Sequence, residues 1–163
     1  MNEPTLWRTE LWHPLTLHFP IALLLFATVA KMVAVVLKGE QEVFWQKVGS
    51  LLLFVGGATV WLAVYTGDMA EGIVARKICD PTILKRHESA SLTMAWLFTT
   101  AVALQLLLAF RLVKVYQKTI RLLTLLLMLV GSGYLIYAGH LGAQVVYEQG
   151  GGVNVPPSDC AGY

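Results

Sequence analysis

The chain has 163 residues, of which 56 % are hydrophobic and only 13 % are charged, and its formal net charge is +2. A soluble domain carries about 25 % charged residues, so the composition excludes an ordinary soluble protein, and no basic, aromatic-rich surface for nucleic acid is present. Four long apolar runs, each close to the roughly 20 residues that cross a bilayer as a helix, predict an all-α membrane protein.

We expect four transmembrane helices in an antiparallel up-down bundle that forms a single domain, residues 1–163. The spans lie near residues 14–38, 46–67, 88–112 and 119–147. The sequence shows no second domain and no obvious internal repeat. Residues 1–12 lack the basic segment of a secretory signal, so the first span is expected to be retained. The glycine-rich residues 148–163 predict an irregular C-terminal tail on the outer side.

The first span opens with the segment HPLTLHFP, which contains His13 and His18. Pro14 suits the first turn of a helix, whereas Pro20 would remove a backbone hydrogen bond and bend the helix. The two histidines are five residues apart, about 140° around a helix, so they do not face the same point. We expect the deeper His18 to be a buried ligand. His13 is expected to cap the helix or to hydrogen-bond a headgroup or a cofactor carboxylate.

The other two histidines stand at the start of the third span and at the end of the fourth. His87 follows Lys85 and Arg86, a basic pair suited to an anionic group such as a propionate or a lipid phosphate. His140 lies among glycines, which favour close helix packing and also leave room for a flat macrocycle. Because alternate helices run in opposite directions, all four histidines share one end of the bundle. Imidazoles are costly in lipid and commonly bind metals, so this placement favours a cofactor site.

Basic residues and cysteines predict the orientation. One end of the bundle carries seven basic residues, Lys31, Lys38, Lys47, Arg111, Lys114, Lys118 and Arg121, and the other carries five, Arg8, Arg76, Lys77, Lys85 and Arg86. The modest excess favours the first end as cytoplasmic. Cys79 and Cys160, both at the other end, favour a disulfide in an oxidising compartment, with two free thiols as the alternative. We therefore expect a multi-pass bacterial inner-membrane protein with periplasmic termini, and we expect Lys31 to snorkel to the inner interface.

Segments near both ends of the chain resemble a known family. HP at 13–14, HFPIAL at 18–23, GHLG at 139–142 and VVY at 145–147, followed by a triple glycine, are similar to the bacterial predicted-membrane-protein family called domain of unknown function 2231. The resemblance covers most of the chain and implies a four-span inner-membrane module. Relatives often accompany or are joined to c-type cytochrome domains, which implies redox work. The chain has no Cys-x-x-Cys-His motif, so no covalent haem c is expected.

The leading hypothesis is haem b bound near the periplasmic face, with His18 and either His87 or His140 as axial ligands. Two imidazoles fill both axial positions, which favours electron transfer. His13, Lys85 and Arg86 would then lie beside the propionates, so His18→Ala should abolish the haem signal and His13→Ala should spare it. One haem is expected, or two, since four histidines supply four ligands, although two macrocycles at one depth would be crowded.

On this hypothesis the chain is a redox subunit rather than an enzyme by itself, with no catalytic residue. Its partners would be membrane lipid, other subunits of a respiratory or extracytoplasmic redox complex such as a c-type cytochrome, and quinone. Two alternatives remain open. The chain could be a non-catalytic anchor in such a complex, or three or four of the imidazoles near the outer face could hold copper or zinc, with Asp68 and Glu71 able to contribute. Phosphate-loop, nucleophile-elbow and zincin motifs are absent from the sequence.

Overall fold

The computed structural model of the protein describes residues 7–153, and most of them are helical. The helices are α1 (Thr9–Thr16), α2 (His18–Val36), α3 (Glu40–Val74), α4 (Pro81–Ala109) and α5 (Gln117–Tyr147). Since α1 and α2 together make one span, four segments are long and apolar enough to cross a membrane. No strand occurs among the described residues. The predicted all-α, four-span fold is confirmed.

The first span is interrupted at Leu17, between α1 and α2. Pro20 has no N–H with which to bond the carbonyl of Thr16, so the helical ladder is broken at the predicted place. The Thr16 hydroxyl instead lies 2.9 Å from the hydroxyl of Thr66 in α3, which holds α1 against its neighbour. The helix begins before Pro14 rather than at it, so Pro14 lies inside α1 and its expected place in the first turn was wrong.

At the end of the bundle that carries the histidines, the helices run beyond their apolar sequences. The third helix continues to Val74 and the fourth begins at Pro81, outside the predicted spans. An apolar cluster packs these extensions against α5: Val74, Ile78 and Val145, with Ile83 and Leu84 beside them. Packing of these apolar side chains therefore extends the helices into segments whose local sequence is too polar to predict a membrane span.

The start of α4 is set by a side-chain cap. Asp80 precedes Pro81 and accepts hydrogen bonds from the backbone N–H and the hydroxyl of Thr82, at 2.9 and 2.6 Å. These bonds hold the pKa of the Asp80 carboxyl below its usual value. The cap satisfies one of the backbone donors that every helix start leaves without a partner, so α4 begins here rather than near residue 88.

The bundle consists of two helical hairpins. The first combines α1 and α2 with α3, and the second combines α4 with α5; contacts are more extensive within each hairpin than between the two. The centre of the bundle contains one fully buried large side chain from each span, Leu24, Leu53, Phe98 and Met128. Most other large apolar side chains face outward, as expected of surfaces in contact with lipid.

Lys31 lies inside the bundle and is only 5 % exposed. Its ammonium group donates hydrogen bonds to three neutral side-chain oxygens, at 2.9 Å to Gln46, 2.8 Å to Ser50 and 3.0 Å to Gln105. Gly49 makes room for the lysine stem, because an added Cβ there would lie 3.0 Å from Lys31 Cγ. The expected snorkelling was therefore wrong: protein oxygens replace interfacial water around this charge.

Candidate functional site

His13 is held between α1 and α3 by a backbone hydrogen bond. Its Nδ1 lies 2.9 Å from the carbonyl oxygen of Ala63. The imidazole also packs on Gly67, one turn further along α3, where an added Cβ would lie 3.2 Å from the ring. That spacing is tighter than ordinary contact, so glycine at this position permits the close approach of ring and helix.

His87 makes the same contacts in the other hairpin. Its Nδ1 lies 2.9 Å from the carbonyl oxygen of Ala138 in α5. The ring packs on Gly142, where an added Cβ would approach it to 3.1 Å. Each hairpin therefore presents one half-buried imidazole, anchored by one carbonyl and placed against one glycine.

The two imidazoles meet between the hairpins. The ring centroids of His13 and His87 are 6.1 Å apart and the ring planes make an angle of 75°. A carbonyl oxygen only accepts hydrogen bonds, so Nδ1 must be the protonated nitrogen in each neutral ring, and Nε2 carries the lone pair. Metal-binding histidines usually donate their other N–H to such an oxygen, so both rings have the tautomer that a metal requires.

The matching contacts reveal an internal repeat. His13 and His87 are 74 positions apart, and their glycine partners, Gly67 and Gly142, are 75 apart. Ala63 and Ala138, whose carbonyl oxygens accept hydrogen bonds from the two imidazoles, are likewise 75 apart. The repeat was not predicted from the sequence, because few of the equivalent residues are identical.

The repeat extends into the core of the bundle. The motif Gly-x6-Ala-x3-Gly begins at Gly56 in α3 and again at Gly131 in α5. Leu24 packs on the first of these glycines and Phe98, 74 positions later, packs on the second. Two sequence signals could therefore have identified the site. One is this repeated motif, and the other is the spacing of 74 residues between His13 and His87.

His18 and His140 do not take part in the pair. Both side chains are exposed, and in a membrane they would face lipid or its headgroups. Ala138 faces His87, and residue 140 is about 200° further around α5, so His140 points away from the site. The structure thus brings together His13 and His87, whereas the sequence favoured His18 with His87 or His140.

The basic residues beside His87 lie at the rim of the site. Lys85 forms ion pairs with Glu88, at 2.6 Å, and with Glu71, at 3.2 Å. Arg86 donates a hydrogen bond to the hydroxyl of Tyr137, at 2.9 Å. Both side chains are exposed, so they are accessible to an anionic group at this end of the bundle.

A buried carboxylate lies on α1 near His13 and was missed by the sequence analysis. Glu10 is 8 % exposed. It pairs with Arg8 at 2.7 Å and lies 3.8 Å from Lys77, which belongs to the connection between α3 and α4. The ion pairs fix the start of α1, and hence of His13, against the rest of the bundle.

Two other expectations concern metals and cysteines. Within residues 7–153, no group of three or more His, Cys, Asp and Glu side chains is placed to hold a metal ion. Cys79 is exposed in the connection between α3 and α4. Its expected disulfide partner Cys160 lies outside the described residues, as do residues 154–163 of the tail.

Comparison with known families identifies the family of this chain. Residues 11–155 match the family described as "Predicted membrane protein (DUF2231)". The chain belongs to this family. The resemblance inferred from its end segments is therefore confirmed, and the protein is a multi-pass membrane protein. Comparisons with curated proteins and with solved structures gave no match.

Proposed function

We propose that this family member binds one haem b through His13 and His87 and serves as an electron-transfer subunit in the membrane. The observation that carries the proposal is the convergence of two imidazoles from different hairpins, each with Nδ1 bonded to a backbone carbonyl. The two rings supply the number of ligands that a six-coordinate haem takes from a protein.

The spacing of the rings supports a shared iron. A metal–imidazole bond is about 2 Å long and the ring centre lies about 1 Å beyond the nitrogen, so two imidazoles on one ion have centres about 5–6 Å apart, depending on the angle between them. The centroids of His13 and His87 are 6.1 Å apart. Contacts between the hairpins are also less extensive than within them, so a cofactor between the hairpins would disrupt fewer helix contacts than one within a hairpin.

When bound, haem would supply a one-electron redox centre, and the residues of the chain would hold it. The carbonyls of Ala63 and Ala138 fix the tautomer and direction of the two rings. Arg86, which forms no ion pair among the described residues, lies at the exposed rim, where it would neutralise a propionate. Lys85 lies beside it but already pairs with Glu71 and Glu88. Because both axial positions would be filled by protein, the arrangement favours electron transfer over oxygen chemistry.

The same proposal includes a location, an orientation and electron partners for the chain. The chain would be a redox subunit in the bacterial inner membrane, with the histidine end and both termini on the periplasmic side. Its electron partners would be a c-type cytochrome or quinone. The family assignment supports membrane localisation, while the excess of basic residues at the opposite end supports the orientation.

The test is the absorption spectrum of purified protein, expressed with ample haem, in its oxidised and dithionite-reduced states. We expect a six-coordinate low-spin haem b. His13→Ala and His87→Ala should each abolish that signal or make it five-coordinate, while the exposed His18→Ala and His140→Ala are matched controls that should retain it.

Two outcomes would contradict the proposal. Wild-type protein without a Soret band would leave the non-catalytic anchor, or a small metal site that elemental analysis would detect. Loss of the signal in His18→Ala with retention in His13→Ala would restore the ligands favoured from the sequence. The helices should insert in all four variants, since lipid burial of apolar side chains drives insertion.

A further inference from the structure

A basic cleft lies at the end of the bundle opposite the histidine pair. It is an open cleft of about 550 Å³ between the end of α4 and the start of α5. Its lining residues are Leu108, Arg111, Lys114, Gln117 and Arg121. Three of the five are cationic and none is acidic, so the cleft is suited to an anionic ligand.

Two of the three cations have no acidic partner. Arg121 pairs with Glu42 of α3 at 3.5 Å. Among residues 7–153, neither Arg111 nor Lys114 forms an ion pair within the chain. Their guanidinium and ammonium groups are therefore free to donate hydrogen bonds to phosphate oxygens.

The backbone at Arg111 is held in an unfavourable conformation. Its φ is +54°, and within the described residues it is the only non-glycine with a positive φ. Arg111 N–H bonds to the Leu108 carbonyl and Leu112 N–H to the Leu107 carbonyl, which is the hydrogen-bond pattern of a Schellman helix end. Glycine is the usual residue at this position, because the Cβ of any other residue is strained there. The presence of arginine in this strained conformation therefore points to a use for its side chain.

Exposed apolar side chains surround the basic ones. In the connection between α4 and α5, Phe110 is 70 % exposed, Leu112 67 % and Val115 83 %, and they alternate with Arg111 and Lys114. A segment that leaves an apolar helix in this way lies in the headgroup layer, with apolar side chains toward the acyl chains and cations toward phosphates. The surroundings of the cleft are thus those of a lipid site rather than of a site for a soluble ion.

We propose that this cleft binds the phosphate-bearing headgroup of an anionic phospholipid. Basic pockets between membrane helices bind such headgroups, and each lysine or arginine near an anionic surface contributes about 1 kcal/mol. Arg111 and Lys114 bind the phosphate oxygens, and Phe110, Leu112 and Val115 contact the acyl chains. The proposal is independent of haem binding, which concerns the other end of the bundle.

The test is lipid retention by the full chain in detergent, measured by native mass spectrometry with phosphatidylglycerol and phosphatidylcholine of identical acyl chains. We expect preferential retention of phosphatidylglycerol. Lys114→Gln and Arg111→Gly should each weaken it roughly fivefold, as expected for about 1 kcal/mol per cation. Lys118→Gln and Lys47→Gln, which remove cations at the same end but outside the cleft, are matched controls and should retain the lipid.

Arg111→Gly separates lipid binding from folding. Glycine adopts a positive φ without strain, so the Arg111→Gly variant should unfold without lipid at a temperature equal to or above that of the wild type. Weaker lipid retention by this variant therefore cannot be ascribed to unfolding. Equal retention of both lipids, or unchanged retention in Arg111→Gly and Lys114→Gln, would overturn the proposal. Displacement of phosphatidylglycerol by millimolar inorganic phosphate would also overturn it, because the cleft would then be a site for the free anion.

Discussion

At the scale of single residues, one hydrogen bond decides which nitrogen of each paired histidine is able to bind a metal. The carbonyls of Ala63 and Ala138 occupy the Nδ1 side of His13 and His87. An exposed imidazole exchanges tautomers freely in water, whereas these two do not without losing a hydrogen bond in a poorly solvated environment. The arrangement leaves the lone pair of Nε2 available in both rings.

The glycines that face the imidazoles provide the first prediction. Gly67→Ala and Gly142→Ala place a methyl group 3.2 and 3.1 Å from a ring, so each ring must give way by a few tenths of an ångström, which strains its hydrogen bond to the carbonyl. Overpacking of this kind costs about 1–3 kcal/mol. We expect lower thermal stability in detergent and, if haem is bound, a weaker low-spin signal.

The same helices supply matched controls for that experiment. An added Cβ at Gly72 in α3 or at Gly139 in α5 has no neighbouring atom within 4 Å. Gly72→Ala and Gly139→Ala should therefore gain up to about 1 kcal/mol from helix propensity. If Gly67→Ala and Gly142→Ala were stabilised to the same extent as these controls, the close packing of the rings would be disproved.

Lys31 gives a second prediction at this scale. Lys31→Met preserves the volume of the side chain but leaves the amide oxygens of Gln46 and Gln105 without their buried donor. Loss of a buried partner costs about 1–3 kcal/mol. We expect Lys31→Met to unfold at a lower temperature, while Lys31→Gln, which keeps an N–H donor, should be affected less.

The matched control is Lys47→Met, which removes an exposed charge from the same end and should change the unfolding temperature little. Equal effects in Lys31→Met and Lys47→Met would contradict the buried network.

At the scale of helices, the angle of each residue around its axis decides which histidines meet. The break at Leu17 separates His13, which faces α3, from His18, which is exposed. In α5, Ala138 and Gly142 share the face toward His87, and His140 falls on the opposite side. Depth along the chain, which favoured His18 in the sequence analysis, is less decisive than this rotation.

The connection between α3 and α4 carries the third prediction. We expect Cys79, which is exposed there, to be disulfide-linked to Cys160, closing a loop of about 80 residues and contributing roughly 4 kcal/mol in the chain-entropy model. Peptide mapping without reductant should recover the linked peptides, with Cys79→Ser as the control that lacks them.

A reporter fused after Tyr163 should be active only in the periplasm. Two freely alkylated thiols in oxidised protein, or cytoplasmic reporter activity, would contradict the predicted disulfide and orientation.

At the scale of the whole molecule, two similar hairpins form the candidate site only in combination. Each hairpin supplies one imidazole, one carbonyl and one glycine. The equivalence extends to the other end of the bundle, where Lys31 and Gln105, 74 positions apart, bond to one another. Histidine occupies both equivalent positions at one end, whereas at the other end lysine and glutamine have complementary roles.

This arrangement predicts that the chain can be divided. Since most helix contacts lie within the hairpins, fragments 1–76 and 77–163 should insert separately and associate in the membrane when co-expressed. Only the co-expressed pair should show the six-coordinate haem spectrum, because each fragment alone has one histidine of the pair. Copurification and the reduced absorption spectrum are the measurements. A normal low-spin signal in either fragment alone would disprove a site shared between hairpins.

The sequence by itself determined the membrane fold, because four apolar runs must become helices in lipid to satisfy their backbone groups. It also placed all four histidines at one end, since alternate spans run in opposite directions. Only the tertiary structure decided that His13 rather than His18 meets His87, and that Lys31 is buried among Gln46, Ser50 and Gln105. Those outcomes depend on helix rotation and on the close approach at Gly67 and Gly142. Neither the helix rotation nor the close approach can be read from hydropathy. Lipid and the protein core are almost equally apolar, so hydropathy does not distinguish the face of a helix that packs from the face that contacts lipid.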